Sequence, residues 1–348
     1  MKLDGGVGMH SADGRVSALM QNVPGDAAAL EAAGYSGAWT AELAHDPFLP
    51  LVLAAEHTET IELGTAIAVA FARNPMTLAN TGWDLQAWSE GRFILGLGSQ
   101  IKPHITSRFS MPWSQPAARM SEMIAAIRAI WESWETGERL SFRGEFYRHT
   151  LMTPMFSPGP NPYGPPPIFL AAVGDRMTEV AGESADGWIS HGFTTPQYLE
   201  DVSLPALARG AARAGRNPKD IQVSIPLFIV TGDNEEQMAA SARAAKQQLA
   251  FYGSTPAYRP VLEHHGWGDA QDELNRLSKQ GEWVAMADVI DDTMLGTFAV
   301  VAEPERIAEG VAASHSGLID RLNFNQGLRP NPPWPDVREA LRAIPTRS

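Results

Sequence analysis

The sequence predicts an α/β protein, a (β/α)8 TIM barrel with insertion regions. Eight short apolar or β-branched runs alternate with helical segments, and eight parallel strands suit a closed barrel. Several helical segments begin at a proline, which the first turn of a helix accepts because its missing N–H costs nothing there. The structural alternative is a doubly wound open sheet. No G-x-G-x-x-G follows the first run, where Gly5-Gly6-Val7-Gly8 lacks the spacing, and this argues against that alternative.

The predicted elements follow one another in the order strand, helix along most of the chain. The strands are Lys2–Val7, Gly37–Ala41, Ile61–Val69, Phe93–Leu97, Ile168–Ala172, Gly187–Ser190, Gln222–Val230 and Asp320–Phe324. The helices are expected to begin near Pro24, Pro47, Pro75, Pro116, Asp175, Pro196, Asn234, Asp269 and Glu303. The stretch Ala117–Trp134 shows the helical period most clearly, because its apolar residues fall on one stripe.

Length and spacing favour one domain over residues 1–348. At about 150 residues per domain the 348 residues would suggest two, but α/β barrels of this length often form one. Two stretches are longer than a barrel requires, at about 98–167 and 231–296. The first contains the Pro/Gly-rich segment Thr153–Pro167, and the second predicts additional helices.

Composition excludes several classes of partner. The 27 Lys and Arg against 40 Asp and Glu give a net charge of −13, which argues against nucleic acid or an anionic membrane as a partner. Cysteine is absent, in agreement with a reducing compartment. The first ten residues lack the pattern of a signal peptide, and no apolar run reaches about 18 residues. We therefore expect a cytoplasmic protein.

His264-His265 is a weak candidate for a metal site, since no carboxylate is suitably spaced, and no metal is predicted.

Functional groups of a parallel barrel collect at the carboxyl ends of its strands. Glu42 follows the second strand, and it is either a proton donor or acceptor, a group that holds a ligand, or a surface acid. His191 follows the sixth strand, as an acid/base group or as an ordinary histidine of the rim. Gly174 precedes a predicted helix start, which suits an anion or an ordinary turn. Small residues lie at the ends of strands three to five. A flat ligand at the barrel mouth would require them, but they are also expected in any barrel interior, where small and large residues alternate.

An ordered set of short motifs resembles the bacterial luciferase-like flavin/deazaflavin oxidoreductases. The motifs are Ala33–Trp39, Ile61–Ala66, Arg73-Asn74-Pro75, Ser89–Ser99, Pro166–Gly174 and Ala185–Trp188. The resemblance covers about Met1 to Pro196, with weaker support from Thr297–Asn325. It is closer to the branch that uses the deazaflavin coenzyme F420, on account of the stretches Phe71–Trp88 and His191–Tyr198.

The resemblance implies a barrel, usually dimeric, that holds a flavin-like ring at its mouth. It places a non-proline cis peptide at Ala66–Ile67, under the ring. The implied cofactor-binding residues are Thr40, Glu42, Ala66, Ile67, Gly98, Ser99, Ala172, Val173 and Gly174, the last three at the phosphate. Glu42 and His191 are the candidates for handling a proton.

Three departures from the family pattern stand out. Ile101 occupies a position where some deazaflavin enzymes carry an acidic group. Relatives use His or Asp near the position of Glu42. Asp175 would compete with a ligand phosphate. Because the coenzyme has an acidic tail, local cations such as Arg73, Lys102 or Arg108 would have to attract it.

The resulting expectation is an F420-dependent oxidoreductase that moves a hydride between the deazaflavin and a small organic substrate. Its alternatives are an FMN-dependent monooxygenase on the same scaffold and a non-catalytic flavin-binding protein. A homodimer is expected, with no nucleic acid or membrane partner.

Overall fold

The computed structural model describes residues 1–8, 16–324 and 335–347, and it contains a closed barrel of eight parallel strands. The strands are β1 (Lys2–Gly6), β2 (Gly37–Thr40), β3 (Glu62–Thr65), β4 (Phe93–Gly98), β5 (Ile168–Ala171), β6 (Gly187–Ile189), β7 (Gln222–Val230) and β8 (Arg321–Phe324). Each strand pairs in parallel with the next, and β8 closes the barrel by pairing with β1, Leu3 lying opposite Leu322. The predicted fold class is confirmed.

The third strand departs from its prediction as one continuous run. It ends at Thr65, and a separate extension, Ala68–Val69, pairs with Leu97 and Gly98 of β4. Between the two pieces the Ala66–Ile67 peptide bond is cis, as the family resemblance implies. A short additional strand, Ala299–Val301, pairs with the end of β7.

Helices surround the barrel and also form most of the second long segment. They are α1 (Val16–Ala32), α2 (Leu49–Glu56), α3 (Pro75–Trp88), α4 (Pro116–Thr136), α5 (Asp175–Ser184), α6 (Pro196–Tyr198), α7 (Leu204–Arg213), α8 (Glu235–Gly253), α9 (Arg259–His264), α10 (Gly268–Gln280), α11 (Trp283–Met286), α12 (Asp292–Phe298), α13 (Ile307–His315) and α14 (Pro335–Ala343). Among the described helices, none is long and apolar enough to cross a membrane.

Most helix starts agree with the residues predicted from the sequence, and three differ. Near Glu303 the structure has only the single turn Pro304–Arg306, and α13 begins after it, at Ile307. The first helix begins at Val16, so Pro24 lies inside it instead of at its start. The second begins at Leu49, two residues after Pro47. Asp46 still caps the turn before it, because its Oδ1 accepts the N–H of Phe48 at 2.8 Å and that of Leu49 at 3.3 Å. The prediction of a helix start near Pro47 is therefore correct to within two residues.

The two long segments differ in their packing. The first holds α4, a hairpin of Phe142–Arg143 with Arg148–His149, and the single turn Pro154–Phe156. The second holds α8 to α12, whose buried side chains form an apolar cluster with Phe193, Phe228 and Val230. Since Phe228 and Val230 lie at the end of β7 and Phe193 follows β6, this segment is anchored on the carboxyl ends of those strands.

Candidate active site

The ends of β2 and β3 are joined by backbone hydrogen bonds on both sides of the cis peptide. The N–H of Ala66 donates to the carbonyl of Thr40 at 2.6 Å, and the N–H of Glu42 donates to the carbonyl of Ile67 at 3.1 Å. A Cβ on Gly98 would lie 2.8 Å from Cδ1 of Ile67, so the end of β4 packs directly against that side chain. Five predicted cofactor residues therefore form one continuous group at the barrel mouth.

Glu42 lies in a buried ion pair at this mouth. Its Oε2 accepts from Nη1 of Arg73 at 2.5 Å and from the N–H of Val69 at 2.7 Å, and its side chain is 7% exposed. Arg73 also contacts Asp46 at 3.1 Å. The guanidinium is thus already neutralised by two carboxylates, so Arg73 does not supply the free cation that the sequence suggested.

The other polar residues at these strand ends are also engaged. Thr40 donates its hydroxyl to the carbonyl of Pro47 at 2.7 Å. Ser99 donates to the carbonyl of Gln100 at 3.2 Å, and Gln100 adopts a left-handed conformation with φ of 60°. Arg108 donates to the carbonyl of Leu43 at 2.6 Å, and both Arg108 and Lys102 are exposed cations of this loop.

The turn after β5 has the geometry of an anion site. Gly174 has φ of 76° and ψ of 154°, a conformation open to glycine and strained for other residues, and space around its Cβ position is empty. The N–H groups of residues 175–177 at the start of α5 have no acceptor in the described chain, and the helix dipole adds positive potential there. Ala172 is buried just below, whereas Val173 is 42% exposed.

The carboxylate of Asp175 lies near a cation on a neighbouring helix. Its Oδ2 lies 3.6 Å from Nη2 of Arg209 on α7, and both side chains are about half exposed. Arg176 is exposed as well. The predicted competition between Asp175 and a bound phosphate is therefore weakened by its partner on α7.

His191 lies at the end of β6 among aromatic side chains of the second long segment. Its Nδ1 accepts the N–H of Phe193 at 3.0 Å, and its ring lies 4.5 Å, between centroids, from the rings of both Tyr252 and Tyr258. Burial lowers the pKa of His191 to about 4. The ring is therefore neutral near pH 7.

The structure does not join the two candidates for proton handling. Glu42 bonds to Arg73 and Val69, whereas His191 bonds to Phe193, so no hydrogen bond among the described residues links them. Sequence reasoning missed Tyr252 and Tyr258, because their approach to His191 depends on how the second segment folds back. No group of three or more potential metal ligands occurs in the part of the chain described.

The geometry defines a TIM-barrel protein whose candidate active site lies at the carboxyl ends of its strands. A family model described as luciferase-like monooxygenase matches residues 9–321. The chain belongs to this family.

Two individual proteins and one solved structure are similar to this chain over much of its length. An uncharacterized protein of Mycobacterium tuberculosis is 55% identical over 318 residues, covering 91% of this chain and 94% of that protein. An F420-dependent hydroxymycolic acid dehydrogenase of the same species is 32% identical over 219 residues, 62% of this chain and 56% of that one. The solved structure of a coenzyme F420 dependent tetrahydromethanopterin reductase from Methanopyrus kandleri superposes with a TM-score of 0.77 at 19% identity, covering 99% of both chains.

Proposed function

We propose that the protein is an F420-dependent oxidoreductase acting on a small organic substrate. The observation that carries the proposal is the turn at Gly174, where a glycine-only conformation opens the start of α5 to a phosphate. The F420-dependent relative and the motifs along β2 to β5 support the same coenzyme. When bound, the deazaflavin would supply hydride transfer, and the protein would supply binding and orientation.

The residues at the barrel mouth fit such a group. The N–H groups after Gly174, together with the backbone N–H of Val173, would hold the phosphate. Ala172 would lie beneath it, because its own N–H already donates to the carbonyl of Ile189 at 3.2 Å. Ala66, Ile67, Gly98 and Ser99 would hold the ring at the barrel mouth. Glu42 would act by holding the backbone of Val69 and the guanidinium of Arg73 in place, since both interact with its Oε2.

His191 is the better placed of the two proton-handling candidates. Glu42 is an acceptor within an ion pair, whereas Nε2 of His191 has no hydrogen-bond partner in the described chain. Because the ring is neutral near pH 7, His191 would donate a hydrogen bond to the substrate and orient it.

Titration of the purified apoprotein with F420 and with FMN, each followed by fluorescence, tests the proposal. We expect micromolar binding of F420 and much weaker binding of FMN. Micromolar FMN binding without F420 binding would overturn the proposal and favour the FMN-dependent monooxygenase. The family description supports that alternative. A solved structure of the same fold also contains FMN, namely the oxygenating constituent of 3,6-diketocamphane monooxygenase from Pseudomonas putida. It superposes with a TM-score of 0.69 at 17% identity, covering 99% of this chain and 97% of that one.

A non-catalytic flavin-binding protein is the alternative from another functional class. Turnover of bound F420 with any organic hydride donor or acceptor would exclude it. We further propose that the protein works in the cytoplasm, which agrees with the absence of cysteine from the sequence.

The proposed assembly is a homodimer that covers the groove between α2 and α3. This open groove has a volume of about 940 Å³ and presents Leu49, Val52 and Trp88, which are 60%, 40% and 58% exposed. Apolar side chains grouped in this way are typical of an interface. Light scattering should give a dimer for the natural chain and a monomer for Val52→Glu, with exposed Glu56→Gln as the control. A monomeric natural chain would contradict the assembly.

A further inference from the structure

The second long segment builds an aromatic wall around His191. The ring of Tyr258 stacks on the imidazole, and the ring of Tyr252 meets it edge-on, each with a centroid separation of 4.5 Å. Tyr252 belongs to the last turn of α8, and Tyr258 ends the turn Pro256–Tyr258. Phe193 packs on Tyr258 with centroids 5.6 Å apart. His191 therefore has aromatic surface on two sides.

The hydrogen bond at Nδ1 determines what this imidazole offers to a ligand. Since Nδ1 accepts the N–H of Phe193, the proton of the neutral ring lies on Nε2. Nε2 has no partner among the described residues, and it is not one of the polar atoms shut off from solvent. The wall thus presents one N–H donor without a positive charge, in addition to the hydroxyl groups of its two tyrosines.

The charges of the second segment do not favour an anionic ligand at this wall. Of the five Lys and Arg in residues 231–296, three are ion-paired. The pairs are Lys246 with Asp292, Arg259 with Glu263 and Asp272, and Arg276 with Glu273. The remaining two, Arg243 and Lys279, are exposed on the helix surfaces. The nearby His264 lies 3.1 Å from a carboxylate oxygen of Asp201.

We propose that His191, Tyr252 and Tyr258 form the substrate-recognition pocket, and that it takes an uncharged, largely apolar molecule whose oxygen accepts the Nε2–H of His191. The aromatic faces supply apolar contact, and the N–H of the imidazole fixes the orientation of the molecule. The inference rests on the proposed function in one respect, namely that the molecule bound here is the substrate.

Three probes of similar size separate the chemical classes: acetophenone has a neutral oxygen acceptor, ethylbenzene has none, and benzoate is an anion. Their affinities for the full chain without cofactor are measured by ligand-observed NMR. One net hydrogen bond corresponds to about a two- to tenfold preference. We expect acetophenone to bind about two- to tenfold more tightly than ethylbenzene. Benzoate should bind most weakly of the three. Benzoate binding as tightly as acetophenone would overturn the inference.

Substitutions assign the preference to His191. His191→Phe keeps an aromatic ring and removes the donor, so acetophenone and ethylbenzene should bind equally. His191→Gln restores an N–H donor and should recover part of the preference. His57→Phe, at an exposed position after α2, is the matched control and should leave the preference unchanged. An unchanged preference in a folded His191→Phe would overturn the inference.

Two further measurements, a nitrogen resonance of His191 and the affinity for F420, test the pocket separately from the proposed function. In the natural chain the ¹⁵N resonance of His191 Nε2 should shift on addition of acetophenone, and a constant resonance would contradict the pocket even if His191→Phe fails to fold. F420 binding is measured separately. Failure of F420 to bind would contradict the proposed function alone, whereas loss of probe selectivity with F420 binding intact would contradict this inference alone.

Discussion

At the scale of single residues, Gly174 links a backbone conformation to a charge effect. Gly174→Glu places a strained side chain and a negative charge at the start of α5. Two like charges about 4 Å apart repel by roughly 1–4 kcal/mol, and 1.4 kcal/mol is tenfold in affinity. Because the side chain also adds bulk where the phosphate would bind, we predict at least a tenfold loss of F420 affinity in a fluorescence titration.

Two matched variants test this explanation. Gly215→Glu also puts a glutamate at an exposed glycine with positive φ (66°), but in the turn before β7, away from the mouth, so it should bind F420 normally. Asp175→Asn removes a charge near the site, and its affinity should be unchanged or higher. Unchanged affinity in Gly174→Glu would place the phosphate elsewhere.

His315 makes the stability of the fold depend on pH. Burial lowers its pKa to about 4, whereas an unfolded histidine titrates near 6.5. As the pH falls from 7.5 to 5, the unfolded chain gains a proton that the folded chain excludes, so the free energy of unfolding decreases by about 2 kcal/mol for this side chain. Measured by urea unfolding, the loss of unfolding free energy between pH 7.5 and pH 5 should be smaller by about 2 kcal/mol in His315→Gln than in the natural chain. In exposed His57→Gln it should be the same as in the natural chain. An equal loss in all three proteins would refute this explanation.

Residue types at strand ends could be predicted from the sequence, but their partners could not. Glu42, Gly174 and His191 all lie where the alternation of strands and helices places them, at the mouth. The pairing of Glu42 with Arg73 depends on the path of the chain after β3, 31 residues further along. The tyrosines beside His191 lie 61 and 67 residues further along, so no local pattern indicates their contact with it.

At the scale of elements, Arg119 ties the first long segment to the barrel. On α4, it donates from Nε to the hydroxyl of Tyr147 at 2.9 Å and from Nη1 to the carbonyl of Pro112 at 2.7 Å. Its guanidinium also lies 5.1 Å from the ring centroid of Phe71. The helix, the hairpin and the loop before α4 therefore share one buried side chain.

Removing this side chain should loosen the loop before α4. Hydrogen bonds to a charged group contribute about 1.5–3 kcal/mol, so Arg119→Met should lower the free energy of unfolding by about 2–3 kcal/mol. It should also speed tryptic cleavage after Arg108, followed by mass spectrometry. Exposed Arg139→Met is the control and should change stability by less than about 0.5 kcal/mol. Cleavage at the natural rate would show that the loop is held by other contacts.

At the scale of the whole molecule, the barrel was predictable because its signals are local and repeated. Each strand is a short apolar run, most helices have a start signal, and eight such units suit a closed barrel. The break of the third strand at Thr65 was implied by the family resemblance and by no periodicity, since Ile61–Val69 is apolar throughout most of its length. The polar network that spans the barrel interior was not predicted, because its members lie up to 317 residues apart.

That network joins β8, β1 and β3 through one fully buried cation. Arg321 contacts Asp4 through Nε at 2.8 Å and Nη2 at 2.6 Å, and it reaches Glu62 through Nη1 at 2.5 Å. The rings of Trp39 and Phe169 lie 5.1 and 5.9 Å from its guanidinium carbon. Asp4 is itself 1% exposed, so it has no access to water that could replace Arg321.

Breaking this pair should cost more stability than removing it entirely. Arg321→Met leaves the carboxylate of Asp4 buried without a cation, and such losses cost about 3–5 kcal/mol. Replacing both residues, as Asp4→Leu with Arg321→Met, removes both buried charges, and apolar replacements of this kind are often neutral. In urea unfolding, the double variant should therefore have a clearly higher free energy of unfolding than Arg321→Met, within about 1–2 kcal/mol of the natural chain. Exposed Arg306→Met, which loses a surface pair with Glu309, should change stability by less than about 1 kcal/mol. A double variant as unstable as Arg321→Met would mean that the network also determines how the barrel closes.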